Sequence, residues 1–350
     1  MKKIVVNLKD RKYPIVIGHH ILPQLGSAIA SLNIGSDAVI ITNRFVRKLY
    51  GSQVKSAFAK RKISVKFLEV PDSEKSKSEK ETFRLIANIA RYDVQRKIFI
   101  VALGGGVIGD LAGFVAAIYK RGVPLVQVPT TFLAQIDSAI GGKAAIDLPI
   151  AKNLVGAFYQ PRLVFSDVAV LRTLTARQVR NGLAEAVKYG VIEDRTLFAY
   201  IEKNYHKLLS CNLKSLSMVV ERCSSIKARI VEKNFGHTVG HGIESASSYD
   251  RYQHGEAIAL GMRIAASLSA KLKWLSDTDH QRLEALLTRI GLPQKIRNIN
   301  SAFVLKSIAH DKKNIFGKNR FVLLRKIGCV RIVEGLSTGL IQKTLQEYCV

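Results

Sequence analysis

The sequence predicts an α/β protein in which a doubly wound, largely parallel sheet is followed by a mostly α-helical second half. Three observations carry that expectation. Short β-rich runs alternate with amphipathic stretches in the first half, and the apolar period turns helical near residue 173. The chain also has 350 residues, long for one core when domains typically run to roughly 100–200.

In order, the strand-forming runs are KIVVNL, YPIVIG, DAVIITN, SVKFLEVP, KIFIVALGGG and VPLVQVPTT. Strands separated by helical stretches pair in parallel, because the crossover helices cover both faces of the sheet. From about Thr173 onward TARQVRNGLAEAVKYGVI, LFAYIEKNYHKLLS, LKSLSMVVERCSSIKARIVEK, EAIALGMRIAASLSAKLKWL and DHQRLEALLTRIG carry apolar residues at helical spacing. The boundary is placed between Leu171 and Thr175, giving domains 1–173 and 174–350. Ligands of a doubly wound sheet bind beyond the carboxyl ends of its strands, so the residues following each strand are the first candidates.

Composition excludes several classes. At 47% hydrophobic and 23% charged, with no apolar run near the ~20 residues of a membrane span, the chain reads as globular with no membrane partner. Its start, MKKIVVNLKDRKYPIVIG, breaks at Asp10, Arg11 and Lys12 and lacks the unbroken apolar core of a signal peptide, so it reads as a first hairpin. Cys211, Cys223, Cys329 and Cys349 show no CxxC spacing, which fits reduced thiols and a cytoplasmic location. The formal charge of +27 attracts anions in general. Basic residues are nevertheless spread along the chain without a nucleic-acid-binding motif, so no specific nucleic acid is expected.

Chemistry concentrates in a few segments. KIFIVALGGGVIGDLAGF runs from an apolar strand into Gly104, Gly105 and Gly106, then Gly109 and Asp110, and on into a helix. Glycines let a backbone approach a diphosphate, and the free N–H groups of a helix start point at its oxygens. Such a turn alone is also compatible with a purely structural role. QVPTTFLAQIDSAIGGKAAID adds Thr130 and Thr131 after another strand, then Asp137, Gly141, Gly142 and Lys143. Further on, NFGHTVGHGIE and QHGEAIALGM place His237, His241 and His254, three of the eight histidines, within eighteen positions. On a helix His237 and His241 share a face, and His254 can complete a metal site with a carboxylate such as Glu185 of NGLAEAVKYG, whose face Lys188 shares.

With GGGVIGDLAGFVAAIYKRG, VPTTFLAQIDSAIGGK, KNLVGAFYQP, GLAEAVKYG, GHTVGHGIE and HGEAIALGM in one order, the chain resembles the 3-dehydroquinate synthases among the sugar phosphate cyclases. The resemblance extends from YPIVIG to the HDKKN of His310 to Asn314. It implies an N-terminal NAD-binding Rossmann-like domain, a helical C-terminal domain holding metal and substrate, and a homodimer. It also implies conversion of 3-deoxy-D-arabino-heptulosonate 7-phosphate to 3-dehydroquinate and phosphate, with NAD regenerated within the cycle. The implied metal is zinc, with cobalt as an alternative.

By position, the resemblance assigns Glu185, His237 and His254 as metal ligands and His241 to the substrate phosphate and proton movement. NAD contacts are implied for Asp72, Glu74, Lys77, Gly105, Gly106, Val107, Ile108, Gly109, Asp110, Thr130, Thr131, Lys143, Lys152, Leu171, Arg172 and Thr173. Asp137, Lys143, Asn153, Lys188, Lys227, Asn234, Lys312 and Lys313 fall on the substrate side, and Arg121 falls where the family reaches into a neighbouring subunit's site. Basic groups of this number suit a substrate carrying a carboxylate and a phosphate.

One departure stands out. The family continues from the KARIVEK stretch through an acidic segment and a Gly-Leu-Arg before NFGHT, whereas here Asn234 follows Lys233 directly. The absent arginine helps hold the substrate carboxylate in the family. Either the segment is truly deleted or a loop of the chain is left out of this sequence, and the intact flanking motifs favour the second.

Overall fold

The computed structural model describes residues 1–7, 12–229, 237–247, 251–309 and 319–350. Its Cα packing separates two units, Met1–Leu174 with Leu216–Arg229, and Thr175–Ser215 with Ile230–Val350.

The first unit is built on β1 (Lys2–Val6), β2 (Tyr13–Gly18), β3 (Asp37–Asn43), β4 (Ser64–Val70), β5 (Ile98–Gly104), β6 (Leu125–Pro129) and β9 (Leu163–Asp167), with a separate hairpin of β7 (Lys143–Leu148) and β8 (Ala151–Phe158). The seven-stranded sheet has the order β1-β2-β9-β6-β5-β3-β4. Only β1 runs antiparallel to its neighbour. From β3 the chain moves outward to β4, then returns to the other side of β3 to lay down β5, β6 and β9, so the order reverses between β3 and β5. Every residue of β3, β5, β6 and β9 is buried, as expected of apolar strands covered on both faces.

Helices α1 (Leu25–Ala30), α2 (Arg44–Ala59), α3 (Glu79–Tyr92) and α4 (Gly106–Ile118) supply the crossovers. Leu85 and Ile89 of α3 and Leu111 and Val115 of α4 join Ile100 of β5 and Ala144 and Ile146 of β7 in one buried cluster. The hairpin is thereby fixed against α4.

The second unit contains α5 (Ala176–Ile192), α6 (Arg195–Leu209), α8 (His237–Ala246), α9 (His254–Lys271), α10 (Asp277–Ile290), α11 (Ser301–Ala309), α12 (Thr338–Tyr348) and a hairpin of β10 (Arg320–Lys326) and β11 (Cys329–Glu334). Thr175 and Gln178 form a reciprocal capping box that starts α5, satisfying two otherwise orphaned backbone donors. From Gly182 to Ile192 every residue of α5 is buried, including Glu185 and Lys188. Between α6 and α8, α7 (Leu213–Arg229) begins in the second unit, but its residues from Leu216 onward belong to the first. The five helical stretches read from sequence correspond to α5, α6, α7, α9 and α10, and six strand runs to β1–β6. Among the described residues no helix is long and apolar enough to cross a membrane.

Candidate functional site

In the first unit the candidate cofactor residues gather past the carboxyl ends of four parallel strands. Asp72, Glu74 and Lys77 follow β4, Gly105 to Asp110 follow β5, Thr130 and Thr131 follow β6, and Leu171 to Thr173 follow β9. Gly105 is the N-cap of α4 and supplies no side-chain cap, which leaves the first N–H groups of the helix to another acceptor. A Cβ on Gly105 would fall 2.9 Å from Thr131 Cγ2, and one on Gly106 3.1 Å from Ser138 Oγ. Val107 and Gly109 are partly exposed on this first turn, and Ile108 points into the core.

Lys77 is the hub of this edge, its side chain only 3% exposed. Its Nζ lies 2.8 Å from Asp110 Oδ2 and donates to Asn153 Oδ1 at 2.6 Å, with Glu74 and Asp147 carboxylates 3.9 Å away. Burial opposes the lysine's charge, yet Asp110, Glu74 and Asp147 outweigh it and raise its pKa. Burial pushes Asp110 up to about 6 against the opposing pull of Lys77. Lys152 Nζ, on β8, lies 3.4 Å from Glu74. Asn153 is thus joined to residues placed in the cofactor group, and its left-handed backbone (φ 53°) is held by its N–H on Asp147 Oδ1 at 2.8 Å.

Other residues of the unit occupy separate positions. A π-helical turn, Ala134–Ser138, carries Asp137, which accepts from Lys227 Nζ of α7 at 2.7 Å. Lys143 stands exposed at the start of β7, and Arg172 and Thr173 are exposed after β9. Asp72 accepts from Asn43 at the end of β3, and Thr173 pairs with Tyr50. Arg121 is exposed on a turn in which Lys120, Arg121 and Gly122 all have positive φ (48°, 62° and 129°). Asp93, nearly buried, pins that turn through Tyr119 and Lys120.

In the second unit α5 and α9 bring Glu185 and His254 together. Glu185 is fully buried, its Oε1 3.2 Å from His254 Nε2 and its Oε2 2.5 Å from Lys188 Nζ. Three contacts fix the start of α9 on α5. Arg177 makes a two-pronged pair with Glu256 at 2.9 and 2.8 Å, and Asn181 accepts from the Gly255 N–H. The other ring nitrogen of His254, Nδ1, lies 3.1 Å from Glu244 Oε1 on α8. Burial works against a charged His254, but Glu244 and then Glu185 overcome it and raise the pKa to about 10. His241, one turn before Glu244, has its ring centroid 6.2 Å from that of His254. His241, Glu244 and His254 offer ligand atoms all within 4.8 Å of one another. The side chain of His237 lies outside the described residues, as do Asn234, Lys312 and Lys313.

Sequence reasoning passed over Glu244, Asp147 and Asn43. Glu244 had a signal, since it stands three residues after His241 and seven after His237, on the same helical face. Asp147 and Asn43 had none, because their roles depend on partners brought near by the tertiary fold.

Two family models match in tandem, 3-dehydroquinate synthase N-terminal over residues 67–181 and 3-dehydroquinate synthase C-terminal over residues 182–314. A 3-dehydroquinate synthase of Desulforamulus reducens is 42% identical over 359 aligned positions, covering 99% of this chain and 100% of the relative. Among solved structures, 2-deoxy-scyllo-inosose synthase complexed with carbaglucose-6-phosphate, NAD+ and Co2+ is 28% identical, with TM-score 0.89 and coverage of 99% of this chain and 100% of that one. The 2-epi-5-epi-valiolone synthase of Streptomyces hygroscopicus with NAD+ and Zn2+ bound is 26% identical, with TM-score 0.89 and coverage of 99% of each.

Proposed function

The chain belongs to the 3-dehydroquinate synthase family, and we propose that it holds NAD within residues 1–173 and a divalent metal and the substrate largely within 174–350. Its reaction is the conversion of 3-deoxy-D-arabino-heptulosonate 7-phosphate to 3-dehydroquinate and phosphate, a lyase step of aromatic amino acid biosynthesis. The observation that carries the site assignment is the buried Glu185 lying between His254 and Lys188, a metal donor pair with a cation beside it.

The donors fit a metal. Ligand atoms about 2.1 Å from a tetrahedral zinc stand about 3.4 Å apart, close to the 3.2 Å between Glu185 Oε1 and His254 Nε2. His237 is the third ligand proposed, and zinc or cobalt the metal, as in the two cyclase structures. NAD suits the turn at Gly105, where a side chain would close the approach to the helix start. When bound, NAD supplies a reversible hydride acceptor and the metal a Lewis acid for a substrate hydroxyl.

This chain's residues do the rest. Lys143, Lys188, Lys227, Lys312 and Lys313 neutralise the substrate's phosphate and carboxylate, and Asn234 orients it. His241 takes or gives the proton that accompanies phosphate loss. Asp137 and Asn153 position substrate hydroxyls, the first held by Lys227 and the second by Lys77. Asp72, Glu74, Lys77, Asp110, Lys152 and the strand ends at Thr130 and Leu171 to Thr173 contact NAD. We place the enzyme in the cytoplasm as a homodimer, with Arg121 offered on its left-handed turn to the neighbouring subunit.

The test supplies the heptulosonate phosphate with zinc and NAD+ below the protein concentration. Phosphate and dehydroquinate should accumulate over many turnovers while absorbance at the NADH wavelength stays level. NADH build-up matched to substrate loss would instead establish a dehydrogenase.

A further inference from the structure

We propose that Glu244 is a positioning residue for the metal site, accepting the Nδ1 proton of His254 so that Nε2 is left as the metal-binding nitrogen. The proposal rests on the reading that Glu185 and His254 share the metal. An imidazole that binds a metal through one nitrogen gives up the proton there and keeps one N–H, and the acceptor met by that N–H decides which nitrogen is left for the metal. The two nitrogens of His254 face two carboxylates, Nε2 towards Glu185 at 3.2 Å and Nδ1 towards Glu244 at 3.1 Å.

The environments of the two carboxylates differ. Glu185 is fully buried in the middle of α5 beside Lys188, whereas the side chain of Glu244 is 15% exposed on α8. The start of α9 is braced against α5 by Arg177 and Asn181, so the ring's distance to Glu185 is set by the backbone. Its rotation is set from the other side by Glu244. A carboxylate behind a ligating histidine fixes its tautomer and makes the coordinating nitrogen more basic.

The experiment measures zinc affinity by chelator competition, metal stoichiometry, and the visible spectrum of the cobalt-loaded protein. It compares the parent with Glu244→Gln, Glu244→Ala and His254→Ala, after melting curves confirm folding. Glu244→Gln should keep one metal and the parental cobalt spectrum while affinity falls about 10- to 100-fold, and Glu244→Ala should lose more, because an amide oxygen can still accept the Nδ1 proton. If either variant fails to fold, Glu244→Asp takes its place and should bind between the parent and a full loss.

Parental affinity in every Glu244 variant, with metal lost from His254→Ala, would overturn the proposal and leave the site reading intact. A Glu244→Gln protein whose metal content and cobalt spectrum match those of His254→Ala would make Glu244 a ligand and also overturn it. Parental affinity in His254→Ala would remove the site reading, and the proposal with it.

Discussion

Lys77 Nζ sits 2.8 Å from Asp110 Oδ2, pairing the loop after β4 with the first helical turn after β5. The same ammonium holds Asn153 on the β7–β8 hairpin, and the Lys77 carbonyl accepts from the Asp147 N–H at 2.7 Å. Removing one partner of a buried ion pair leaves the other charge uncompensated, at a cost of about 3–5 kcal/mol. Lys77→Met should lose stability of that order in urea unfolding, and its NAD affinity by calorimetry should fall as well. A variant with parental stability would show that this lysine is replaceable.

Asp110 gives the fold a pH signature. Its folded pKa, about 6, lies above the ordinary carboxylate value of 3.8, so the folded state holds the proton more tightly than the unfolded one. The stability this contributes is present at low pH and is lost as pH rises from about 4 to about 6. Lys77, raised above 10.5, contributes stability that is present below that value and lost at higher pH. Asp110→Asn should flatten the pH dependence between pH 4 and 6, seen as a smaller drop in melting temperature across that window. An unchanged slope would assign the fall to other carboxylates.

The glycine turn can be tested sterically. The side chain introduced by Gly106→Val would crowd Ser138 and project beyond Cβ above the helix start. Folded Gly106→Val should bind NAD at least about tenfold more weakly, equivalent to about 1.4 kcal/mol. Fluorescence titration returning parental affinity would make the turn structural only.

Lys227 and Asp137 should behave as a coupled pair, since they meet at 2.7 Å across 90 positions of chain. In a double-mutant cycle of Lys227→Ala and Asp137→Ala the destabilisations should fail to add by about 0.5–3 kcal/mol. Additive denaturant midpoints would leave the contact without energetic weight.

Sequence carried the fold where each element's own pattern was strong. The apolar runs of β3 and β5 and the helical period of α5 and α9 needed no partner to be read, and the glycines after β5 announced the turn by chemistry alone. The β7–β8 hairpin was not legible in KAAIDLPIAKNLVGAF, whose small residues make weak strands and whose burial comes from α4. Lys77 and Asn153 stand 76 positions apart, and nothing local links them. Glu244 was visible only as a spacing, because its meaning depends on which nitrogen of His254 it faces.

The sheet unit is not one continuous piece of chain, because it takes Leu216–Arg229 from beyond the first stretch of the other unit. Ser224 Oγ donates to the Gln135 carbonyl, and Lys227 reaches Asp137. During synthesis, therefore, the strands can assemble before residue 216 emerges, whereas the contacts of Gln135 and Asp137 with α7 form only after Ser224 and Lys227 are made. A fragment ending at Leu174 would carry the whole sheet and still lack Ser224, which donates to the Gln135 carbonyl, and Lys227, which donates to Asp137, so restoring both contacts requires α7 to be grafted back onto it.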